Sequence, residues 1–485
     1  MDTEELEMPK SKPAKVAKKN AKPDFVTPEY IAEQRAKREQ IKLEKAKKNA
    51  EMGILPPEPV FDTNFIKRPM LSVQNTDIDG DGAIVKIMTY NVLGQALIRR
   101  KLFPTNGDML KWKWRAKVLF SELKYYDADL MCLQEVDLAH LDTVYKPKMA
   151  NLGYDTMYHC GERKNHGLLI CWKNSVFGLV DSAVVDYDND TGYDPADQSG
   201  VLTVPQTKTR NVGLIVALKF KAGDHGLVIG TTHLFWHPYG TFERTRQSAV
   251  LVRNTKSFAT KFPNWPVFLA GDFNSLPFDA PYLALTRPKG QRLTDHAYEI
   301  LRESAEHEYT KKDEEEAPED DDALDNPEPA PEPEPVAVEE KVEPAKPKVL
   351  EEFTPSTDGM EGLQDRKKEV VVAGKSSIDD IMALHDNNNA QMTSLYGKYY
   401  RHAHPENADV DVRNGEPTFS NWAFAWRGLL DYIFVMNSYV DNIDVLELLR
   451  MPLPTEMGDE PSGQPREGQY PSDHLCLMAK IRTKL

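Results

Sequence analysis

The chain has 485 residues, 40% of them hydrophobic, which is enough for one large domain or two ordinary ones. Its formal net charge of −16 is concentrated: residues 313–343 hold 15 acidic side chains against one basic, and the rest sits near −2, so the total does not exclude a polyanionic ligand. No run approaches the ~18 apolar residues of a membrane span. The four cysteines (Cys132, Cys160, Cys171 and Cys476) lack metal-ligand spacing and read as reduced, buried thiols.

The elements follow in chain order. Asp2, Glu4, Glu5 and Glu7 argue against a secretory or mitochondrial leader, so the expected compartment is the cytoplasm, the nucleus or both. Residues 9–50 carry 13 Lys/Arg against 5 Asp/Glu with little apolar periodicity. Residues 1–82 are therefore expected to be a basic, Lys-rich extension, disordered or helical, able to hold RNA phosphates or protein partners. The folded domain should begin near Ala83, where Ala83–Val92 reads as a strand. Residues 111–126 read as a helix, because Trp112, Ala116, Leu119 and Leu123 share one face. Asp129–Gln134 and the runs 167–173, 212–219 and 227–233 read as strands. Residues 240–262 read as a helix and Val267–Ala270 as a buried strand. This alternation predicts an α/β protein with helices outside sheets.

From 303 to 375 the pattern collapses into Pro and Glu, as in Pro327–Pro335. Such a segment cannot bury enough surface to offset its conformational entropy, so it is expected to be a disordered acidic insertion. Order resumes near Ser376, where Ser377-Ile378-Asp379-Asp380 reads as a helix start. The last strands are Leu430–Val435 and Leu475–Ile481. One catalytic domain, 83–302 with 376–485, is expected around the insertion, since motifs of one site lie on both sides of it.

Five segments share one layout, an apolar strand ending in polar or acidic residues. They are Thr89-Tyr90-Asn91-Val92-Leu93, Cys132-Leu133-Gln134-Glu135-Val136, Thr231-Thr232-His233-Leu234, Ala270-Gly271-Asp272-Phe273-Asn274-Ser275 and Tyr470-Pro471-Ser472-Asp473-His474. A sixth, Gly428-Leu429-Leu430-Asp431, places Asp431 at a strand start. Strand ends converge on one rim of packed sheets, where ligands favour binding. Asn, Glu, Asp and His gathered there make a hard, oxygen-rich site suited to magnesium or manganese. Singly, each residue has a structural explanation as a cap or turn; six together fit one reaction.

This ordered set resembles the endonuclease/exonuclease/phosphatase superfamily, and within it the deadenylase-like branch of nocturnin and angel relatives. Thr232-His233-Leu234-Phe235-Trp236-His237-Pro238 with Glu243-Arg244-Thr245-Arg246-Gln247, and Tyr90–Arg100, are similar to fungal Ngl-type RNA exonucleases. The resemblance covers about 83–300 and 376–485. It implies a four-layer α-β-β-α sandwich and a magnesium-dependent 3′→5′ exoribonuclease releasing 5′-mononucleotides in RNA 3′-end processing, on rRNA precursors or poly(A). It further implies Glu135 as the main metal ligand, with Asn91 beside it and Asp473 assisting. Asp272 would orient or deprotonate the attacking water, and Asn274 would hold the water or a phosphate oxygen. His474 would donate to the phosphoryl oxygen, Asp431 would orient His474 or bind a second ion, and His233 would contact the scissile phosphate. Asn211 matches a further polar position, and Pro238 and Trp426 match the pair flanking the 3′-terminal base. The alternative structural readings are core packing for Trp426 and a plain turn for Pro238. His237 departs from the acidic residue of the repeat-bearing deadenylases, and no leucine-rich repeat precedes residue 83. The competing function is a phosphatase or phosphodiesterase of the same fold acting on a small nucleotide, inositol or lipid phosphoester.

Overall fold

Strand after strand alternates its apolar side chains between two faces, and both faces are covered. The computed structural model describes residues 64–73, 81–194, 199–309, 375–424, 426–458 and 462–484. The basic arm at 9–50 and nearly all of the acidic insertion lie outside the described residues.

The strands in chain order are β1 (Met70–Ser72), β2 (Ala83–Asn91), β3 (Leu130–Asp137), β4 (Tyr154–His159), β5 (His166–Lys173), β6 (Phe177–Asp186), β7 (Tyr193–Asp194), β8 (Ser199–Gly200), β9 (Val212–Phe220), β10 (Gly226–His233), β11 (Val267–Asp272), β12 (Met392–Ser394), β13 (Asn421–Trp422), β14 (Arg427–Gly428), β15 (Asp431–Met436), β16 (Ile443–Leu449) and β17 (Leu477–Thr483). A seven-stranded sheet has the order β1-β16-β17-β2-β3-β5-β4, and a six-stranded sheet the order β12-β15-β11-β10-β9-β6. The ribbons β7–β8 and β13–β14 stand apart from both.

Three apolar clusters define the layers. Between the sheets, Val85, Ile87, Leu130, Cys132 and Ile170 meet Leu214, Val216, Phe268, Ala270, Ile433 and Val435. On the far side of the seven-stranded sheet, Met88, Tyr90, Met131 and Leu133 pack under Leu119 and Leu123 of the Trp112–Tyr126 helix. On the far side of the six-stranded sheet, Ile215, Ala217, Val228 and Leu269 pack under Ala249 and Val252 of the Thr241–Ala259 helix. Each fully buried aliphatic side chain contributes ~1.5–3 kcal/mol, so burial on both faces of both sheets favours this layering. The protein is a four-layer α-β-β-α sandwich.

Two boundaries differ from expectation. Residues 64–73 belong to the fold, not to an N-terminal extension: Met70–Ser72 pairs antiparallel with β16, and the buried Arg68 donates from Nη2 to the Cys476 carbonyl at 2.9 Å. Three residues are too few for a periodicity, and a buried arginine reads as surface. The acidic insertion also starts later than 303, because the Asp295–Glu306 helix continues past that point and buries Ser304. Beyond the insertion, Ser377 forms the expected helix start, a capping box in which its hydroxyl accepts from the Asp380 amide while the Asp380 carboxylate accepts from the Ser377 amide. Cys132, Cys171 and Cys476 are buried and Cys160 is half-buried, all with free thiols. Among the described residues no helix is long and apolar enough to cross a membrane.

Candidate active site

Alternation delivers the first functional side chains. In β11, Phe268 and Ala270 face the other sheet, so Asp272 continues on that face at the strand end. In β15, Ile433 and Val435 do the same, which puts Asp431 there too. Register completes the alignment: Asp272 pairs with Asp431 in the antiparallel ladder and with His233 in the parallel one. In β2, Val85 and Ile87 set the same parity for Asn91.

Glu135 breaks that rule. Met131 and Leu133 of β3 face the outer helix, and unbroken alternation would send Glu135 after them. The register with β5 instead slips between Leu133 and Val136, and Glu135 takes φ 59°. This bulge turns the carboxylate back toward the inter-sheet rim. A left-handed backbone at a residue with a Cβ costs ~1–3 kcal/mol and persists where the surroundings enforce it, often at functional sites. Leu93 (φ 57°) and Asn274 (φ 47°) share this conformation beside the same rim.

The side chains converge. Asn91 Nδ2 donates to Glu135 Oε1 at 2.7 Å and to Asp272 Oδ2 at 2.9 Å, joining the two sheets. The Gly94 amide donates to Glu135 Oε2 at 2.8 Å. His233 Nε2 lies 3.5 Å from Asp272 Oδ2 and 3.9 Å from Glu135 Oε1. His474 Nδ1 lies 2.7 Å from Asp431 Oδ2, and its Nε2 is 3.7 Å from Asp272 Oδ2. The Asn274 amide donates to Asp272 Oδ1 at 2.9 Å, and its side-chain Nδ2 to the Leu234 carbonyl. Asn211 Nδ2 donates to the His233 carbonyl at 2.9 Å, and Lys164 Nζ donates to Asn211 Oδ1. Asp473 sits next to His474, where Ser472 Oγ donates to the Asn91 carbonyl at 2.7 Å.

The hydrogen bonds that join the cluster include neither Pro238 nor Trp426. Pro238 is exposed in the loop that follows β10. Trp426 is 52% exposed, whereas Trp422 is buried, so core packing describes Trp422 and not Trp426.

Electrostatics follow from burying so many charges together. Burial pushes the Glu135 carboxyl up; His233 opposes this and Asp473 adds to it. Burial also raises Asp473, with His474 opposing. Burial favours neutral His474, but Asp431, Asp272 and Asp473 together hold it well above the usual histidine range, as an imidazolium. His233 goes the other way: burial lowers it to about 4, only partly offset by Glu135, so it is neutral near pH 7.

This donor set could hold a metal ion. Carboxylate oxygens of Asp272 and Asp431 lie within 4.8 Å of one another, while His474, held as an imidazolium, has no lone pair to offer an ion. Asp431 Oδ1 is buried with no hydrogen-bond partner among the described residues, an uncompensated acceptor that a cation would satisfy. Glu135 and Asp473 add further carboxylates whose ionisation burial disfavours. Oxygen-rich ligation of this kind suits a hard divalent cation.

The sequence profile of the Endonuclease/Exonuclease/phosphatase family matches residues 88–474. The chain belongs to that family. Among its relatives, a Schizosaccharomyces pombe protein named probable RNA exonuclease C9B6.11c is 39% identical over 95% of this chain and 89% of its own length. The RNA exonuclease NGL2 of Saccharomyces cerevisiae is 37% identical over 96% of this chain and 91% of its own. The crystal structure of ANGEL2, a 2′,3′-cyclic phosphatase, superposes with a TM-score of 0.55 at 20% identity, covering 87% of this chain and all but 1% of that one. That likeness shows the family's sandwich and nothing finer.

Several supports of this cluster were not legible from motifs. Ser420 Oγ donates to Asp431 Oδ2 at 2.7 Å while accepting from the Leu430 and Asp431 amides. Arg115, fully buried, donates to the carbonyls of Val92, Leu93 and Pro471, tying the Asn91 strand end to the Asp473 loop. Gln134 donates to Thr231 Oγ1 at 3.1 Å and to Thr89 Oγ1, bridging the sheets beneath the site. Burial lowers Lys164 to about 8, with Asp188 opposing, and it lines a small cleft with His166, Arg210 and His233. The one signal for Arg115 and Gln134 was position, since polar residues inside apolar elements need partners.

Proposed function

We propose that this chain is a magnesium-dependent 3′→5′ exoribonuclease that hydrolyses RNA to 5′-mononucleotides. The observation that carries the reading is the cluster of Asn91, Glu135, Asp272, Asp431 and His474, in a chain 37–39% identical along nearly its whole length to proteins named RNA exonucleases.

Each residue has a task its contacts allow. Asp272 holds both oxygens in fixed bonds, to the Asn274 amide and to Asn91 Nδ2, and so presents an oriented base to a water. His474, kept protonated by Asp431, offers Nε2–H to a phosphoryl oxygen where negative charge grows. His233 faces the same oxygens as a neutral ring, and Asn274 and Asn211 shape the phosphate's surroundings. Glu135 with Asn91 and Asp473 would hold magnesium (manganese as a substitute). The bound ion supplies charge neutralisation to the phosphoryl oxygens and the leaving 3′-oxygen. Pro238 and Trp426 flank the 3′-terminal base, which stacks at ~1–3 kcal/mol. The natural RNA is an rRNA precursor or a poly(A) tail, and the basic N-terminal arm and the acidic insertion meet protein partners.

The test is substrate choice. The purified chain should degrade a single-stranded oligoribonucleotide with magnesium, stop with EDTA, and leave nucleotide, inositol and lipid phosphoesters largely intact. RNA left whole while a small phosphoester is consumed contradicts the reading.

A further inference from the structure

The loop after β10 has a second aromatic surface with no task in the cluster. We propose that Trp236 and Tyr239 form a stacking platform for an unpaired RNA base upstream of the 3′-terminal nucleotide. The proposal rests on the exoribonuclease reading and extends how much RNA the site holds.

Three observations support it. First, both rings are open: Trp236 is 50% and Tyr239 is 54% exposed. Trp112, Trp114, Trp172 and Trp422 are buried, whereas Trp236 and Trp426 are half-exposed, and both lie within five residues of a cluster member, His233 or Asp431. Leaving large aromatic surface in water forgoes burial free energy, and two such rings on the short loop that follows His233 point to a ligand with flat apolar faces.

Second, the rings are preorganised. His237, buried beneath the loop, stacks on Phe235 at 5.8 Å and 13° and packs edge-on against Trp236 at 5.5 Å. Tyr239 stacks on His307 at 4.6 Å and 12°. The turn is closed by the Gly240 amide donating to the His237 carbonyl at 2.8 Å, and Arg244 Nη1 donates to the same carbonyl at 2.7 Å. A Cβ at Gly240 would meet that carbonyl at 2.8 Å, so the turn requires glycine. A fixed ring loses little entropy on stacking.

Third, the platform is wired to the chain that leads into the acidic insertion. Tyr309 Oη donates to the Tyr239 carbonyl at 3.1 Å. Ser304 Oγ donates to that carbonyl too and accepts from the Phe242 amide at 2.8 Å. Gln206 Nε2 donates to the carbonyls of Ser304, Ala305 and His307. Residues 304–309 therefore act as positioning residues for the loop. Base stacking is sequence-tolerant because every base has a π-face, so the platform takes single-stranded RNA of any sequence.

The test is a cycle on the full chain. Binding of a short, unstructured, fluorescein-labelled oligoribonucleotide is measured by anisotropy in EDTA, which suppresses cleavage. Trp236→Ala and Tyr239→Ala should each weaken binding about ten-fold, and Trp236→Phe should restore most of it. An RNA with one abasic nucleotide upstream of the 3′ end should lose as much on the wild type, and the two losses should not add. Unchanged binding in both alanine variants, or losses that add at every abasic position, overturns the platform. Cleavage with magnesium is read in parallel. If the wild type binds RNA in this ring-dependent way but never cleaves it, the platform stands and the exoribonuclease reading fails.

Discussion

The two sheets supply one site by different means. The six-stranded sheet brings His233, Asp272 and Asp431 to the rim by unbroken alternation and matched register. The seven-stranded sheet brings Asn91 the same way, but Glu135 only through a bulge and a left-handed backbone. A straight strand end is a consequence of folding. A bent one costs free energy, and here that cost brings a carboxylate to a cluster already crowded with acids. The difference separates residues whose placement is free from one whose placement is bought by the function.

Asp272→Asn keeps the shape and the bond from Asn91 but loses the one from the Asn274 amide and removes the base, so turnover on RNA should fall by roughly 10³-fold with only a modest drop in thermal midpoint. Retention of a tenth of wild-type turnover would remove Asp272 from its role. Glu135→Gly probes the other sheet. Glycine accepts a positive φ without strain and removes a buried carboxyl, so the variant should be inactive yet more stable by ~1–2 kcal/mol in denaturant unfolding. Glycine at Asp272, on unstrained backbone, should bring no such gain. Equal stability changes at the two positions would erase the contrast.

Smaller effects sharpen it. Ser420→Ala frees Asp431 Oδ2 from its hydroxyl donor and should lower kcat about ten-fold with KM nearly unchanged, as steady-state kinetics on RNA can measure. Outside the cluster's hydrogen bonds, Glu416 is fully buried, accepts from Tyr282 Oη at 3.0 Å, and is raised by burial to about 7. Between the ordinary carboxylate range and pH 7 the folded state binds more protons than the unfolded one, so this group lowers stability as pH rises through that window. Glu416→Gln should flatten that decline in unfolding free energies measured at pH 5 and pH 8, leaving the pH dependence of catalysis as it was.

How much of this was legible depends on side-chain periodicity. Strands such as β2, β9 and β11 and the helices at Trp112–Tyr126 and Thr241–Ala259 announced themselves because burial on one or both faces leaves a regular apolar pattern. Edge strands did not. β6 exposes Leu179, Val180 and Val184, β4 lies half-buried, and β1 is three residues long. The cluster residues were legible because strand ends are where short polar motifs interrupt apolar runs. Their supports were not: Arg115 and Ser420 act through backbone carbonyls and amides distant in sequence, contacts that only tertiary structure creates. Nor did alternation foretell Glu135, whose usefulness depends on breaking it.

The central claim, that both rims form a nuclease working inward from the RNA 3′ end, is tested most directly by the position of a label. A single-stranded oligoribonucleotide labelled at its 5′ end and incubated with magnesium should give a ladder shortening one nucleotide at a time, with 5′-mononucleotides as the released product. Immediate release of the 5′ label as a mononucleotide, or internal fragments without a ladder, would contradict it.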